Sequence, residues 1–341
     1  MTAWPIYNGA DSPHDGIDDL PEPPNWRKFD GGPVITRPSV SDSDSAAFSR
    51  RLGSGPFHRT PTPDEEQMVN AALFLRRPLL ITGRPGTGKS TLAYRVAWEL
   101  KLGQVLRWPI TSRTRLRDGL YHYDPIGRLR EENLRRRSDT AIDNADIDGD
   151  AEIGRHIRLG PLGTALLPYE RPRVLLIDEI DKSDIDLPND LLNVFEEGEF
   201  EIDELVRLPL ETRRVDVRTA DGGAPVPVLR GKVRCRAFPF VVLTSNGERD
   251  FPPAFLRRCL QLDLAAPDIE TLTEIIASHL GAQAATAAAH RIEAFLERQN
   301  QGEEVSTDQL LNAIYIATSQ RAYRSVDQVA EALMRPLGSP R

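Results

Sequence analysis

The sequence predicts an α/β fold in which a parallel sheet lies between helices and a small all-α domain follows. Two observations indicate this fold. Between about residues 64 and 266, short apolar runs alternate with segments of helical periodicity, and after Pro267 only the helical pattern continues. Strands that alternate with helices form parallel sheets covered by helices on both faces. We therefore expect an α/β domain over 58–266 and a helical domain over 267–341.

The pattern of the α/β domain predicts four strands and the helices that connect them. The helices have apolar residues three and four positions apart, and the first has acidic residues in its first turn. The predicted elements, in chain order, are the helix PDEEQMVNAALFLRR, the strand PLLITG, the helix STLAYRVAWELK, the strands QVLRWPIT and RVLLIDEI, the helix LLNVFEEG and the strand FPFVVLTSN. Four helices are predicted after Pro267, namely IETLTEIIASHL, TAAAHRIEAFLERQ, TDQLLNAIYIATSQ and SVDQVAEALM.

Residues 1–57 precede this pattern and are rich in Pro, Gly, Asp and Ser. Because they show neither a helical nor a strand period, the sequence predicts a disordered, mobile arm. Trp4, Trp26 and Phe29 interrupt its polar composition. These three residues either pack loosely on the α/β domain or form a short docking motif.

The composition argues against several classes of protein. Of 341 residues, 40% are hydrophobic and 28% charged, and the net charge of −8 is unlike that of a strongly basic nucleic-acid binder. No apolar stretch approaches the ~20 residues that span a bilayer, and no signal peptide is read at the N-terminus. The two cysteines, Cys235 and Cys259, cannot build a disulfide framework, and the histidines lack zinc-ligand spacing. We expect a cytoplasmic protein.

The stretch GRPGTGKST, residues 83–91, is the first candidate site. It follows a predicted strand, opens a predicted helix and fits the pattern G-x-x-x-x-G-K-[ST] of a phosphate-binding loop, or P-loop. Its glycines let backbone N–H groups point inward, and with the helix N-terminus they form an anion nest. Lys89 is expected to reach the β- and γ-phosphates of ATP, and the Ser90 hydroxyl to bind Mg²⁺. The predicted nucleotide-binding residues are Gly83, Arg84, Pro85, Gly86, Thr87, Gly88, Lys89, Ser90 and Thr91.

A second motif indicates what happens to the nucleotide. The apolar stretch VLLIDE, residues 174–179, ends in two carboxylates. Asp178 is predicted to lie beside Mg²⁺, and Glu179 to polarise a water molecule for attack on the γ-phosphate. Small-molecule kinases rarely need the second carboxylate, because their nucleophile arrives on the substrate. The sequence also lacks an LSGGQ-like segment, which argues against an ABC-transporter ATPase.

Two further stretches fit hydrolysis of ATP. Asn246 ends the strand-like run VVLTSN, where it either orients the attacking water or simply caps the strand. Arg257 and Arg258 follow in FPPAFLRRC. Two interpretations are open for this pair. One of the arginines completes the site of a neighbouring subunit as an arginine finger, or both lie at an ordinary helix end on the surface.

The motifs GRPGTGKS, LLIDE, LTSN and FPPAFLRR, in this order and before a helical lid, resemble those of AAA+ ATPases. The segments RLGPLGTALL and LRWPITSRTRLRDGLYHYDPIGRL resemble the MoxR branch of that family. The resemblance covers about 60–341. It implies a ring, usually a hexamer, with ATP at the subunit interfaces, and it places Arg258 at the finger position with Arg257 as an extra arginine. It also implies chaperone-like remodelling of a protein partner, often one with a von Willebrand factor A domain, and some related forms occur in bacterial conflict systems.

Three places depart from the MoxR pattern. The lid usually carries an arginine that touches the γ-phosphate, but the matching stretch here is STDQLL with Gln309 near that place. Either another arginine serves, or the lid couples to the nucleotide more weakly. The 89 residues from Lys89 to Asp178 (178 − 89 = 89) leave room for an insertion near 127–158, which is either a disordered loop or a surface that faces the pore or a partner. A second insertion is predicted near 200–238, with a hairpin around TADGGAPVP.

The sequence leaves three functions open. The first is ATP-driven remodelling of a protein, in which Tyr121 and Tyr123 either grip a polypeptide in the pore or pack against each other. The second is a McrB-like nucleic-acid motor, whose basic pore would be lined by Arg113, Arg115 and Arg117. The third is a scaffold that hydrolyses ATP slowly and signals through its state of assembly.

Overall fold

The computed structural model describes residues 5–36, 42–53, 61–138, 152–209, 214–301, 303, 305–318 and 329. The strands within them are β1 (Leu79–Thr82), β2 (Leu106–Pro109), β3 (Tyr121–Tyr123), β4 (Ile157–Leu159), β5 (Val174–Asp178), β6 (Glu199–Glu201), β7 (Arg214–Val217), β8 (Val226–Leu229), β9 (Lys232–Arg234), β10 (Phe240–Thr244) and β11 (Leu260–Asp263). Five of these strands form a central parallel sheet in the order β11-β1-β10-β5-β2. The other six form two antiparallel sheets, β3-β4 and β6-β9-β8-β7.

Helices cover the central sheet and continue after it. Those in the described residues are Asp42–Leu52, Pro63–Leu75, Lys89–Glu99, Leu116–Leu120, Pro125–Ser138, Pro161–Ala165, Leu187–Glu197, Asp203–Val206, Pro253–Leu256, Ile269–Leu280, Ala282–Ala287, Ala289–Asn300 and Thr307–Thr318. Capping residues mark the ends of some of these helices. The Thr62 hydroxyl accepts the N–H of Glu65 at the start of one helix, and Gly198 ends another in the left-handed conformation.

The inner strands of the central sheet, β1, β10 and β5, are buried on both faces, which explains their continuous apolar runs. In β5, Val174 and Leu176 pack on the face that carries the helix Lys89–Glu99. Leu175 and Ile177 point to the opposite face. All four predicted strands lie in this sheet, so the predicted α/β fold is confirmed.

The fifth strand of the sheet, β11, has no counterpart in the sequence prediction. It lies at the edge, paired only with β1, and its residues alternate between the core and solvent. Leu262 is buried, whereas Gln261 and Asp263 are exposed. A short edge strand of this kind lacks the apolar run that marks the central strands.

The N-terminal segment corrects the prediction of a mobile arm over 1–57. Ile6 and Tyr7 are buried, and the backbone N–H groups of both donate to Asn70 Oδ1 over 2.8 and 2.9 Å. Ile17 is buried in the same core. Single side chains and backbone hydrogen bonds hold this segment, and such contacts leave no period in the sequence. The prediction is wrong for the described residues 5–36.

The aromatic residues of this segment differ in their surroundings. Phe29 stacks on Phe238 with ring centroids 5.6 Å apart, which matches the packing alternative. Trp26 is 80% exposed. Trp4 lies outside the described residues.

The helix Asp42–Leu52, also part of the predicted arm, packs against the helix Lys89–Glu99. The rings of Phe48 and Tyr94 meet edge to face with centroids 6.3 Å apart. A Cβ on the following residue, Gly53, would lie 2.6 Å from the carbonyl oxygen of Ser278 in the C-terminal domain. The helix and the glycine that follows it therefore contact both the α/β domain and the helical domain.

The two predicted insertions contain regular structure. Near 127–158, the helix Pro125–Ser138 leads to residues 139–151, which lie outside the described part of the chain. Near 200–238, four antiparallel strands form a sheet, and β7 and β8 make the predicted hairpin with Val217 opposite Val226. The hairpin loop is tied to the core by a buried ion pair between Arg173 Nη1 and Asp221 Oδ2 over 2.8 Å.

In the described residues after Pro267, four helices share a separate core, which agrees with the predicted helical lid. The first begins at Asp268, whose carboxylate accepts the N–H of Thr271 over 2.8 Å. Leu272, Phe295 and Ile314 are among the buried residues of this core. The predicted helix SVDQVAEALM lies outside the described residues, apart from Val329.

Candidate functional site

The P-loop occupies the turn between β1 and the helix Lys89–Glu99. Gly83, Gly86 and Gly88 have φ angles of +145°, +81° and +86°, which residues with a Cβ rarely adopt. A Cβ at Gly83 would also lie 2.6 Å from the carbonyl oxygen of Leu264. The sequence therefore places glycines where the loop must turn tightly next to the end of β11.

Lys89 begins the helix, and its side chain folds back over the loop. Nζ donates to the carbonyl oxygens of Gly83 and Arg84 over 2.7 and 2.9 Å. Burial lowers the pKa of Lys89, although the carboxylates of Asp181 and Asp178 act in the opposite direction. A partly desolvated ammonium at the N-terminus of a helix, where backbone N–H groups lack partners within the helix, is suited to bind phosphate.

Asp178 lies at the carboxyl end of β5, across from the P-loop, and four hydrogen bonds converge on its carboxylate. Ser90 Oγ and Thr244 Oγ1 donate to Oδ1 over 2.7 and 2.8 Å. Arg107 Nη2 and Nε donate to Oδ2 over 2.7 and 3.1 Å. Burial by itself raises the pKa of Asp178, but the hydrogen bonds from Ser90, Arg107 and Thr244 outweigh it, so that the pKa lies below its usual value.

The pair Ser90 and Asp178 fits the Mg²⁺ ion that the P-loop implies. The hydroxyl and the carboxylate are hard oxygen ligands, which Mg²⁺ prefers. Within the described part of the chain, no group of three or more His, Cys, Asp and Glu is arranged to hold a metal. Mg²⁺ is usually bound by one or two protein groups together with the phosphates of a nucleotide, and Ser90 and Asp178 suit such a site.

Glu179 directly follows β5 and adopts a left-handed conformation with φ of +62°. A left-handed residue other than glycine is uncommon, and such strain is typical of functional sites. The backbone N–H of Glu179 donates to Thr244 Oγ1 over 2.9 Å, which fixes this conformation. Its carboxylate borders the cleft and accepts a hydrogen bond from Lys182 Nζ over 2.9 Å.

The loop after β10 brings Asn246 to the same place. Asp181 Oδ2 accepts the backbone N–H groups of Asn246 and Glu248 over 2.8 and 3.1 Å. Asn246 borders the cleft and Asp181 holds the loop that carries it. Sequence reasoning missed Asp181, although its position three residues after Asp178 in LLIDEID was a usable signal.

These groups line one cleft of about 770 Å³ between the α/β domain and the lid. Pro85–Thr91, Asp178, Glu179 and Asn246 form one side. The lid side is formed by Thr271, Glu274, Ile275, Ala277, Ser278, His279, Ala282, Thr307, Asp308 and Leu311. Arg84 and Gly83 contribute the carbonyl oxygens that hold Lys89. The predicted nucleotide-binding residues and the predicted acidic residues thus come together.

The cleft has a third wall that sequence reasoning missed. Arg50, Arg51 and Leu52, from the end of the helix Asp42–Leu52, border the same space. No local pattern could have indicated them, because they are separated from the P-loop by more than thirty residues of chain. Arg107, on β2, is a further cleft residue. Its signal was a charged residue within the otherwise apolar strand-like run VLRWPI.

The candidate finger residues, Arg257 and Arg258, are not among the residues that line this cleft. They follow the short helix Pro253–Leu256. Arg257 is exposed, and Arg258 makes an ion pair with Glu196 on the neighbouring helix. The structure therefore places both arginines on the surface, away from the nucleotide cleft of their own chain.

Gln309 has a structural role at the start of the last described helix. Its Oε1 accepts the backbone N–H of Ser306 over 2.8 Å, while the Ser306 hydroxyl accepts the N–H of Gln309 over 3.4 Å. This reciprocal arrangement is a capping box. The neighbouring Thr307 reaches the P-loop instead, donating from Oγ1 to the carbonyl oxygen of Gly86 over 2.7 Å.

The aromatic and basic residues near β3 have other partners. Tyr121 is buried and stacks on Phe200, and its hydroxyl accepts the backbone N–H of Asp203 over 3.2 Å. This corrects the pore alternative for Tyr121. The Tyr123 hydroxyl is half-buried and accepts a hydrogen bond from Arg128 over 3.5 Å.

Arg117 pairs with Glu204 over 2.7 Å and lies over the ring of Tyr121. Arg113 and Arg115 are exposed. None of the helices in the described residues has the length and apolar character needed to cross a membrane.

Comparison with known proteins agrees with this geometry. No curated protein matches the chain. The family model of the AAA domain (dynein-related subfamily) matches residues 78–259, more than half of the chain, from the start of β1 to the end of the segment with Arg257 and Arg258. With a P-loop, an acidic strand end and a polar strand tip gathered in one cleft under a helical lid, the chain belongs to the dynein-related AAA domain family.

Proposed function

We propose that this chain hydrolyses ATP with Mg²⁺ in the cleft between the α/β domain and the lid. The observation that carries the proposal is that Lys89, Ser90, Asp178 and Glu179 face one space bounded by the P-loop. A P-loop without the two carboxylates would indicate a site that binds a nucleotide without hydrolysing it. The second carboxylate adds a group that can take a proton from water.

In this mechanism Lys89 and the N–H groups of the P-loop bind the β- and γ-phosphates. Ser90 and Asp178 would hold Mg²⁺, which neutralises charge on the phosphates. Glu179 accepts a proton from a water molecule, whose oxygen bonds to the γ-phosphorus while the bond to the ADP oxygen breaks. Asn246 orients that water. The products are ADP and inorganic phosphate.

Two variants test the mechanism, with phosphate release and binding of a fluorescent ATP analogue as readouts. Lys89→Ala should weaken binding of the analogue, because it removes a charge beside the phosphates. Glu179→Gln should bind the analogue normally and release phosphate at least ~100-fold more slowly, in the range for loss of a general base. Glu197→Gln, an exposed position on the helix Leu187–Glu197, is the matched control. Normal hydrolysis by Glu179→Gln contradicts the role of Glu179.

We propose further that copies of the chain form a ring, with a hexamer favoured, in which Arg258 acts in the cleft of a neighbour and Arg257 lies beside it. Arg257 is exposed, Arg258 is half-buried, and neither lines the cleft of its own chain, which supports this arrangement. Particle mass should rise when ATP is added to Glu179→Gln. Arg258→Ala and Lys89→Ala should each be inactive alone and regain activity when mixed, because each supplies what the other lacks. A single mass with and without ATP argues against the ring.

We propose that the ring is a MoxR-like, chaperone-like remodeller of a protein partner, of which a protein with a von Willebrand factor A domain is one candidate. The segments RLGPLGTALL and LRWPITSRTRLRDGLYHYDPIGRL support the MoxR branch. The buried thiols Cys235 and Cys259 suit a cytoplasmic setting. An unfolded model protein should stimulate ATP turnover of the wild type. Turnover that no polypeptide alters would favour a slowly hydrolysing, nucleotide-gated scaffold.

A McrB-like nucleic-acid motor is the second candidate, favoured by one observation. Arg113 and Arg115 are exposed in the segment that follows β2. Salt-dependent DNA binding that weakens in an Arg113→Ala/Arg115→Ala variant would support this candidate. Equal affinity of the wild type and the double variant for DNA would contradict the nucleic-acid motor.

A further inference from the structure

The contact between Arg107 and Asp178 is the most unusual feature of the cleft. Arg107 uses two nitrogens, Nη2 and Nε, against a single carboxylate oxygen, Oδ2, at 2.7 and 3.1 Å. The other oxygen, Oδ1, accepts the hydroxyls of Ser90 and Thr244 at 2.7 and 2.8 Å. A carboxylate offers about four acceptor sites. Hydrogen bonds from protein donors therefore fill all of the acceptor sites of Asp178, the residue that would hold Mg²⁺.

A divalent ion, or a water molecule bound to it, needs one of these acceptor sites, so one donor must leave. Thr244 is 1% exposed and also binds the backbone N–H of Glu179, which ties it in place. Ser90 is itself a candidate ligand of the ion. The Arg107 side chain is 42% exposed, against 10% for Asp178, and it borders the cleft. Arg107 is therefore the donor with a long side chain and room to move.

Charge points to the same conclusion. A guanidinium and a divalent cation on one carboxylate repel each other, and this repulsion is strong in a partly buried site. The phosphates of a nucleotide in the same cleft offer the guanidinium another anionic partner, which it can bind with two parallel hydrogen bonds.

We propose that Arg107 is a displaceable counter-ion of Asp178. It neutralises the carboxylate while the cleft holds no divalent cation, and it transfers to the phosphates of the bound nucleotide when the cation takes its place. The proposal rests on the proposed function of the cleft as a site for nucleotide and Mg²⁺. It makes Arg107 a positioning residue that sets the concentration of divalent cation at which the site fills.

Metal affinity tests this proposal without a measurement of hydrolysis. The full chain is saturated with ADP, and Mn²⁺ is titrated as the probe while electron paramagnetic resonance reports the free ion. Arg107→Gln should bind Mn²⁺ at least about threefold more tightly than the wild type, because a competing charge is gone. In excess EDTA, the same variant should bind ADP at least about threefold more weakly, because the charge of Asp178 is then not neutralised and repels the phosphates. Arg236→Gln, exposed after β9 and not among the lining residues, should match the wild type in both titrations.

A measurement on the wild type keeps the test independent of the fold of the variant. The Nε–H resonance of Arg107 is assigned from its absence in Arg107→Lys. It should shift when Mg²⁺ is added to the ADP complex, because its partner changes from Asp178 to phosphate. An unchanged resonance, or a Mn²⁺ affinity of Arg107→Gln equal to or weaker than that of the wild type, overturns the proposal. Failure of the wild type to bind either ADP or Mn²⁺ would instead overturn the proposed function.

Discussion

Thr244 Oγ1 donates a hydrogen bond to Asp178 Oδ1 over 2.8 Å and accepts the backbone N–H of Glu179 over 2.9 Å. One buried hydroxyl on β10 thus sets the orientation of the candidate Mg²⁺ ligand and the conformation of the candidate base, both on the adjacent strand β5. Thr244, Asp178 and Glu179 are thus connected by hydrogen bonds between the ends of two adjacent strands.

Thr244→Val should therefore slow hydrolysis of ATP while leaving nucleotide affinity near that of the wild type. The isosteric valine keeps the packing but cannot orient Asp178, and loss of a partner that orients a metal ligand typically costs ~10–100-fold. Unfolding in urea should show a loss of about 1–3 kcal/mol, because buried partners lose a hydrogen bond. Thr244→Ser keeps the hydroxyl and is the control. Equal turnover of the valine and serine variants would contradict the role of this hydroxyl.

Gly86→Ala should destabilise the contact between the P-loop and the lid. Gly86 has φ of +81°, and a Cβ there would lie 2.9 Å from the backbone N of Thr307. The left-handed conformation alone costs an alanine about 1–2 kcal/mol. Gly222→Ala, with φ of +72° and nothing within 4 Å of its Cβ, carries the same strain without the contact.

Thermal unfolding and binding of a fluorescent ATP analogue separate the two effects at Gly86. Both variants should lose stability, and only Gly86→Ala should lose affinity for the analogue. If the affinity falls equally in both, the contact with the lid has no part in nucleotide binding.

The double variant Arg50→Ala/Arg51→Ala should bind ATP at least about tenfold more weakly, since the loss of even one hydrogen bond to a charged group costs about 1.5–3 kcal/mol. Both side chains border the nucleotide cleft from the N-terminal helix. Arg113→Ala/Arg115→Ala removes the same charge from exposed positions that are not among the lining residues, and it controls for the net charge. Unchanged affinity of the first variant would show that this wall does not touch the nucleotide.

Stability should depend on pH through the buried pair of Arg173 and Asp221. Hydrogen bonds from Thr219 and Arg173 and the charge of Arg173 outweigh burial and hold the pKa of Asp221 below its usual 3.8. The unfolded chain therefore takes up the proton at a higher pH than the folded chain. The pair contributes stability that is fully present above 3.8 and is lost as the pH falls through the lower pKa of the folded chain.

Urea unfolding at a series of pH values from neutral to about pH 3 tests this dependence. Asp221→Asn should be less stable at neutral pH, and its loss of stability towards acid should be smaller than that of the wild type. Asp190→Asn, at an exposed position, should keep the slope of the wild type. Equal slopes for the wild type and Asp221→Asn would contradict the assignment.

Much of the architecture was predictable because its central elements carry strong local signals. β5 and β10 are continuous apolar runs, since both of their faces are buried, and the P-loop combines fixed residue types with fixed spacing. β11 escaped prediction because an edge strand with one buried face, such as that of Leu262, resembles an amphipathic loop. The N-terminal segment escaped because Ile6 and Tyr7 are held by Asn70, a partner 63 or more positions away.

The candidate site also contains residues that a local motif predicts and residues that it does not. Lys89, Asp178 and Glu179 belong to contiguous motifs and were predictable. Arg50 borders the cleft only because the chain folds back on itself, and a single sequence carries no pattern for such an approach. Arg107 left a weaker signal, a charge within a predicted strand, which did not say what the side chain would face. Gln309 occupies the place expected for an arginine, but its side chain completes a capping box, a role that its position after Ser306 would have indicated.

The buried pair between Arg173 and Asp221 has a mechanical consequence. Arg173 directly precedes β5, and Asp178 ends that strand five residues later. The side chain of Asp221, in the loop between β7 and β8, is therefore paired with the residue that precedes the strand ending at the candidate Mg²⁺ ligand Asp178. Strand β5 is held between β10 and β2, so it is stiff along its length. The hairpin and the candidate nucleotide cleft are thus connected through a single strand, so a displacement of the hairpin is expected to reach Asp178 at the other end of β5.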